Sequence, residues 1–369
     1  MGFFSLLLKS MFGSKDGKKN RIIDDLQIEI THICPFNKNT NKYMDWSTFM
    51  EVANNFELAK RVHFTGWGDP FLHSQALEMI RTAKEKGVQV EITTNGTELS
   101  HHVIDELVNL KIDQLTISLF YPHHSLDSIH DNIKNLLEIR NKLPKVILDF
   151  TMTRNNINQL PEFIELVGDL GVDEVRASNI NFILSAEHNN LKTFEGIISE
   201  DSRGDLIKQG KAKGKEEFET LISEAEKLAN RKGIYFSSKP LVPNEAVMCE
   251  YSPLKNVFIT WEGLMTPCQC LGLQNSKNYF NEKEYDLEPF IIGNITSTKF
   301  LDLWHDNKYQ YFRDIYKRRV KIFNNYMEET FEEEPNAKLI FNNYQKLEQE
   351  LAEEKLPEVC ARCYKAYSI

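Results

Sequence analysis

The chain has 369 residues, an ordinary apolar fraction and a formal net charge of −10. That length allows a sizeable buried core, and the acidic balance argues against a general nucleic-acid surface, which needs clustered Lys and Arg to neutralise phosphates. Six cysteines in so long a chain, two of them as C-x-x-C, read as metal ligands in a reducing compartment rather than as a disulfide framework, so a cytoplasmic location is expected.

The apolar run Phe3-Phe4-Ser5-Leu6-Leu7-Leu8 continues to Phe12, is broken by Lys9 and is followed by Lys18, Lys19 and Arg21. It is too short to span a bilayer and lacks the layout of a secretory signal. Two readings stay open: a short helix resting on a membrane surface with its basic residues against anionic lipid, or an end element packed on the fold. From residue 25 onward, β-like runs at 26–31, 62–65, 88–93, 114–119, 146–152 and 174–178 alternate with helical periodicity at 46–58, 75–86, 102–110, 126–141 and 160–170. Such alternation predicts parallel strands joined by right-handed crossovers. The expected class is α/β, a partial (β/α)6 TIM-like barrel, with chemistry in the loops beyond the strands' carboxyl ends.

Those loops carry the informative residues. After the first strand comes Thr31-His32-Ile33-Cys34-Pro35-Phe36-Asn37-Lys38-Asn39-Thr40-Asn41. The second is followed by Thr65-Gly66-Trp67-Gly68-Asp69-Pro70, the third by Thr94-Asn95-Gly96-Thr97, and the fifth by Thr153-Arg154-Asn155-Asn156. Singly these are ordinary turn chemistry. In this order, each at a strand end, they resemble the radical S-adenosylmethionine (SAM) superfamily. That resemblance implies three thiolates, C-x-x-x-C-x-x-C, on a [4Fe–4S] cluster with one iron open for SAM. Here Lys38 and Asn41 stand at the second and third ligand positions, and neither supplies the soft sulfur such clusters take. Cys34 is then the remnant of the SAM-cluster ligand set. By the same resemblance Gly66, Gly68, Asp69, Asn95 and Arg154 would form a SAM-like pocket, with Asp69 in place of the usual Glu. His123 and His124 could replace the missing donors or simply be solvated.

The C-terminal third carries a fuller metal signal. Cys249, Gly263 and Cys268 are followed far downstream by Cys360-Ala361-Arg362-Cys363. Residues 257–268 read as a β-hairpin turning at Glu262-Gly263, which returns Cys268 towards Cys249, and 301–316 as an amphipathic helix. This spacing, with Gly293-Asn294-Ile295 between, resembles the SPASM and twitch extensions of radical SAM enzymes. Four thiolates suffice for one auxiliary [4Fe–4S] cluster; a zinc site made by the same four cysteines and plain buried thiols are the alternatives. Cys270 is expected to be a spare sulfur or to exchange roles with Cys268.

The expected organisation is a tail at 1–24, a radical SAM-like partial barrel at 25–185, a connecting segment at 186–244 and a SPASM/twitch-like domain at 245–369. Residues 189–215 are expected to be a solvated connection. An acidic helical insertion at 318–355 is expected to be an exposed hairpin, or at 328–334 a docking surface for a basic protein. Three functions follow: an iron–sulfur protein with lost or altered SAM cleavage that binds a substrate or partner; an active enzyme with an atypically ligated N-terminal cluster; or a zinc protein. The resemblance implies a peptide, sugar or alcohol as substrate.

Overall fold

The computed structural model describes residues 21–32, 42–120, 129–194, 198–199, 207–208, 215–274, 276–332 and 337–369. Six strands run parallel in chain order: β1 (Ile23–Ile28), β2 (Ala59–Phe64), β3 (Gln89–Thr94), β4 (Gln114–Phe120), β5 (Lys145–Met152) and β6 (Glu174–Asn179). The helices between them are α1 (Trp46–Ala53), α2 (Ala76–Glu85), α3 (His101–Asn109), α4 (His130–Ile139) and α5 (Leu160–Gly168). Beyond β6 come α6 (Ala186–Leu191), the short ladder β7 (Ile198–Ser199) and β8 (Ile207–Lys208), and α7 (Lys215–Lys232). Strand β9 (Tyr235–Ser238) then adds parallel to β6.

The C-terminal hairpin extends the same sheet at its other edge. Strand β10 (Asn256–Ile259) pairs parallel to β1, β11 (Leu264–Thr266) returns antiparallel, and β14 (Gly293–Asn294) pairs with β11. A separate ladder is formed by β12 (Ser276–Phe280) and β13 (Lys283–Leu287). The result is one open ten-stranded sheet whose β10–β1 contact spans some 230 residues of chain. At the hairpin turn Gly263 has φ +81°, and a Cβ there would meet Asn294 and Thr48 at 3.1 Å, so glycine is needed both for backbone sign and for space.

Alternation along the strands explains the layering. Leu26, Val62, Ile92, Ile117, Leu148 and Val175 are fully buried towards the helices. The alternate positions are polar and bond to one another across strands: Arg61 Nε donates to Asp25 (3.2 Å), its Nη1 to Glu91 (3.3 Å), and Gln114 Nε2 to Glu91 (3.3 Å). Parallel strands buried on both faces usually read as continuous apolar runs. The period-2 pattern here reflects an inner face lined with polar groups.

His63 belongs to this inner face, 2.8 Å from Thr93 Oγ1 and 4.0 Å from Asp25. Burial pushes its imidazole down from 6.5 to about 4, overriding the pull of Asp25. The unfolded chain protonates this residue near 6.5 while the folded chain does not until about 4. Between those values the unfolded state binds more protons, so the site costs stability as pH falls through the window and costs nothing above it. Urea unfolding of His63→Gln against wild type should therefore show no difference attributable to this proton at pH 7.5 and a relative gain of about 3 kcal/mol by pH 4. A pH-independent difference would overturn this.

Three expectations need correction. The 301–316 helix is two helices, α8 (Phe300–Trp304) and α9 (Asn307–Glu332). Asp306 ends the first and starts the second, its carboxylate accepting from the amides of Lys308 (2.8 Å) and Tyr309 (3.4 Å). The 189–215 segment is not wholly solvated, because Asn189, Lys192, Thr193 and Phe194 are buried and Phe194 packs edge-to-face on Tyr364 at 4.8 Å. The 318–355 insertion, formed by α9 and α10 (Ala337–Glu353), is not merely exposed: Phe323, Met327, Leu347 and Leu351 form a small core between its helices. The side chains of the acidic stretch at 328–334 lie outside the described residues.

Candidate metal centre

Three separate parts of the chain deliver cysteines to one place. Cys249 sits in the turn leading to β10, where its carbonyl accepts from Ser252 N at 3.0 Å. Cys268 follows β11 and Cys270 lies in the 3-10 turn Gln269–Gly272. Cys360 ends the turn Glu358–Cys360 and Cys363 precedes the last one, Tyr364–Tyr367. All five line a single cavity of about 170 Å³ with Phe182, Tyr251 and Tyr316. All five are free thiols. The quartet read from sequence is thus brought together, and Cys270 joins it.

The electrostatics of the ring call for a positive centre. Burial and then the neighbouring thiols push Cys249 and Cys360 well up; burial and contact with Cys268 and Cys363 do the same to Cys270. Cys363 is drawn down, by a hydrogen bond from Cys270 and against its burial. Several thiolates packed in a dry cavity repel one another until a metal compensates them. Among the described residues no three His, Cys, Asp or Glu side chains close on one point as a single ion would require. A ring of four cysteines can take either a tetrahedral zinc or a polynuclear cluster, whose ligands sit on different irons.

Charged groups form a wall beside the cavity. Glu250 accepts from Lys239 Nζ (2.6 Å) and from Lys365 Nζ. Burial opposes its charge, yet these two ammonium groups hold it down to about 2. Lys365 also lies 4.6 Å from the Tyr251 ring centroid. Asp149 of β5 has an Oδ1 that is buried and has no hydrogen-bond partner among the described residues. Its carboxyl is pushed up by burial, eased by a hydrogen bond from Ser178, and it feels both Glu250 and Lys365.

The SAM-like loops are ordered by their own contacts. Asp69 is 4% exposed and accepts from Thr94 Oγ1 (2.7 Å), Asn95 N (2.7 Å) and Phe71 N (3.0 Å), so three of its four lone-pair directions are used internally. Asn95 turns its Oδ1 to Thr97 N at 2.8 Å. Arg154 is tied to the end of α6, its N donating to Leu191 O (2.9 Å) and its Nε to Lys192 O (2.7 Å). Gly66 presses on Glu29, whose side-chain carbons would lie 2.7 to 2.8 Å from an added Cβ. Gly68 falls in the bend between Trp67 and Asp69. Cys34, Lys38, Asn41, His123 and His124 lie outside the described residues.

Sequence reading missed several residues that join the two regions. Glu29 accepts from Trp67 N (2.9 Å) and lies 3.0 Å from His32 Nδ1. The Trp67 indole N–H reaches across 202 residues to Gln269 O at 3.2 Å, and its ring packs on Phe182 at 5.7 Å. The only local signal was an acid at an inward strand position and an aromatic between two loop glycines.

Family comparison decides what this arrangement belongs to. The model of the radical SAM superfamily matches residues 32–183, and that of SPASM, an iron–sulfur cluster-binding domain, matches residues 249–364. The chain belongs to the radical SAM superfamily and carries a SPASM domain. It is 25% identical over 291 residues to the tungsten-containing aldehyde ferredoxin oxidoreductase cofactor-modifying protein of Pyrococcus furiosus, covering 74% of this chain and 76% of that one. It is 29% identical over 211 residues to "Probable GTP 3',8-cyclase" of Sulfurisphaera tokodaii, covering 51% of this chain and 66% of that one. Streptococcus suis SuiB bound to precursor peptide SuiA has the same fold, with a TM-score of 0.52 at 15% identity over 77% of this chain and 64% of that one.

Iron–sulfur clusters and SAM are the cofactors of radical SAM and SPASM domains. The C-terminal cavity fits a cluster in ligand number, ligand type and electrostatics. The N-terminal site of this radical SAM chain does not fit the three-thiolate form. Five of the six cysteines are committed to the SPASM cavity, so Cys34 is the one thiol left for the loop after β1. No described helix is long and apolar enough to cross a membrane.

Proposed function

We propose that this chain is a radical SAM/SPASM protein holding one auxiliary [4Fe–4S] cluster on Cys249, Cys268, Cys360 and Cys363, with SAM cleavage lost or altered and the inner face of the sheet used to bind a substrate or partner. The observation that carries this reading is the convergence of five of the six cysteines on one cavity, which leaves a single sulfur for the other site. A bound cluster would supply one-electron chemistry. The chain's own residues do the rest. Lys365 lines the cavity and is paired with Glu250, and the buried Asp149 Oδ1, which has no hydrogen-bond partner among the described residues, is the acceptor this reading assigns to a hydroxyl or ammonium group of a bound molecule. Peptide and small-molecule substrates both suit such an acceptor, and the relatives' names include both kinds. Cysteines gathered as a ligand set accord with a reducing, cytoplasmic setting.

Anaerobic reconstitution tests this reading. It expects about four irons per chain, the same iron in Cys34→Ala, and no 5′-deoxyadenosine on adding SAM and reductant. More iron in the wild type, lost on removing Cys34, together with 5′-deoxyadenosine, would establish the second reading, an active enzyme with an atypically ligated cluster. That reading is favoured by the intact bonding of Asp69 and Asn95 in the SAM-like loops. One zinc per chain in place of iron would overturn both.

A further inference from the structure

Within the cysteine cavity one polar group has no role in the ligand set. Tyr316 projects from α9, is 0% exposed and lines the cavity, with its ring 5.5 Å from that of Phe312. Its hydroxyl lies against the sulfur of Cys360, a weak acceptor while it is a thiol, and Oη makes no hydrogen bond of ordinary geometry among the described residues. The other fully or nearly fully buried tyrosines here are all satisfied. Tyr309, on the same helix, donates to Asn256 O at 2.9 Å, Tyr364 accepts from Asn281 N at 2.9 Å, and Tyr367 donates to Ala361 O at 3.0 Å. Burial on this side of the fold therefore does not by itself strand a phenol.

A buried hydroxyl without a partner is destabilising, and phenylalanine would fill the same ring space without that cost. The missing acceptor is supplied once the cavity is filled, because thiolate and sulfide sulfurs are anionic acceptors and a neutral phenol is a donor. We propose that the Tyr316 hydroxyl donates a hydrogen bond to the sulfur at the Cys360 corner of the auxiliary cluster and so raises its reduction potential. The inference rests on the reading that this cavity holds an iron–sulfur cluster. An added electron increases the negative charge on the cluster's sulfurs, so a fixed O–H donor stabilises the reduced form more than the oxidised one. Tyr316 is thus a tuning residue; it ligates nothing.

Tyr316→Phe removes a single oxygen and tests this. In the reconstituted full chain, iron per chain should match wild type and a redox titration followed by electron spin resonance should show the midpoint displaced to a more negative potential. An unchanged midpoint, or loss of iron from the variant, would overturn the proposal. The iron-free proteins give an independent readout: the variant should melt no lower than wild type, because a contact with a neutral thiol is too weak to offset burying the hydroxyl. A lower melting temperature would mean that Oη already has a protein partner and would sink the inference. If wild type takes up no iron at all, the cluster reading itself fails, and that outcome is separate from any result of the variant.

Discussion

Alanine at Cys249, Cys360 or Cys363 should abolish stable cluster binding, whereas alanine at Cys270 should leave iron near the wild-type value. The cavity is closed by three segments far apart in sequence, and each contributes thiols. Removing one of four ligands leaves an iron without its anchoring sulfur; the rest of the cavity lining offers phenols, an amide and carboxylates, which match iron–sulfur clusters poorly, and Cys270 as the one spare thiol. Because the free energy of binding a metal centre to a folded site adds to folding free energy, loss of the cluster also lowers stability, by several kcal/mol on the scale of metal-linked folding. Iron analysis and thermal melting of the anaerobic proteins measure both effects. Retention of iron in Cys268→Ala with loss in Cys270→Ala would show that these two sulfurs have exchanged roles.

Replacing Arg319 should be the most damaging change away from the cysteines. Its side chain is 0% exposed and donates to Val247 O (3.1 Å), Ala246 O (3.0 Å), Leu351 O (3.4 Å), Glu354 O and the Glu245 carboxylate (2.6 Å). One guanidinium thereby joins α9, the end of α10 and the segment just before Cys249. Truncation to alanine leaves those carbonyls and a carboxylate without their donor beside a new void, an expected loss of about 3–5 kcal/mol in urea unfolding. Lysine cannot rescue it, since an ammonium lacks the fork that reaches acceptors on both sides. Its neighbour Arg318 makes an exposed pair with Glu354 at 2.9 Å, and its alanine variant should change stability by under about 1 kcal/mol. Since residues 245–247 lead directly into Cys249, Arg319→Ala should also lose iron faster to a chelator. Equal effects of the two substitutions would refute the anchoring role.

The strands and helices were legible to within a few residues because each is specified by local periodicity: Val62 and Phe64 or Leu148 and Phe150 alternate with polar neighbours whatever lies beside them. The hairpin was legible because Gly263 carries its own backbone requirement. Helix α8 ended earlier than its apolar stripe suggested, for a local reason too, the Asp306 cap. What could not be read locally was partner choice. Nothing in Asn256–Ile259 states that β10 will lie against β1, or in Trp67 that its indole will meet Gln269. Lys192 looks like a surface residue, but Glu282 and Asn189 draw it inward.

The amino-acid order alone determined that sulfur is scarce after β1 and plentiful near the end of the chain, because ligand chemistry depends on residue type and short spacing. Only the tertiary structure decided that Cys270 joins the quartet, that Arg319 locks the approach to Cys249 and that Asp149 and Tyr316 are left with unmet hydrogen-bonding capacity. Those facts depend on which groups a packed interior removes from water and which partners it puts within hydrogen-bonding reach, and contacts across so long a stretch of chain leave no mark in any local run of sequence.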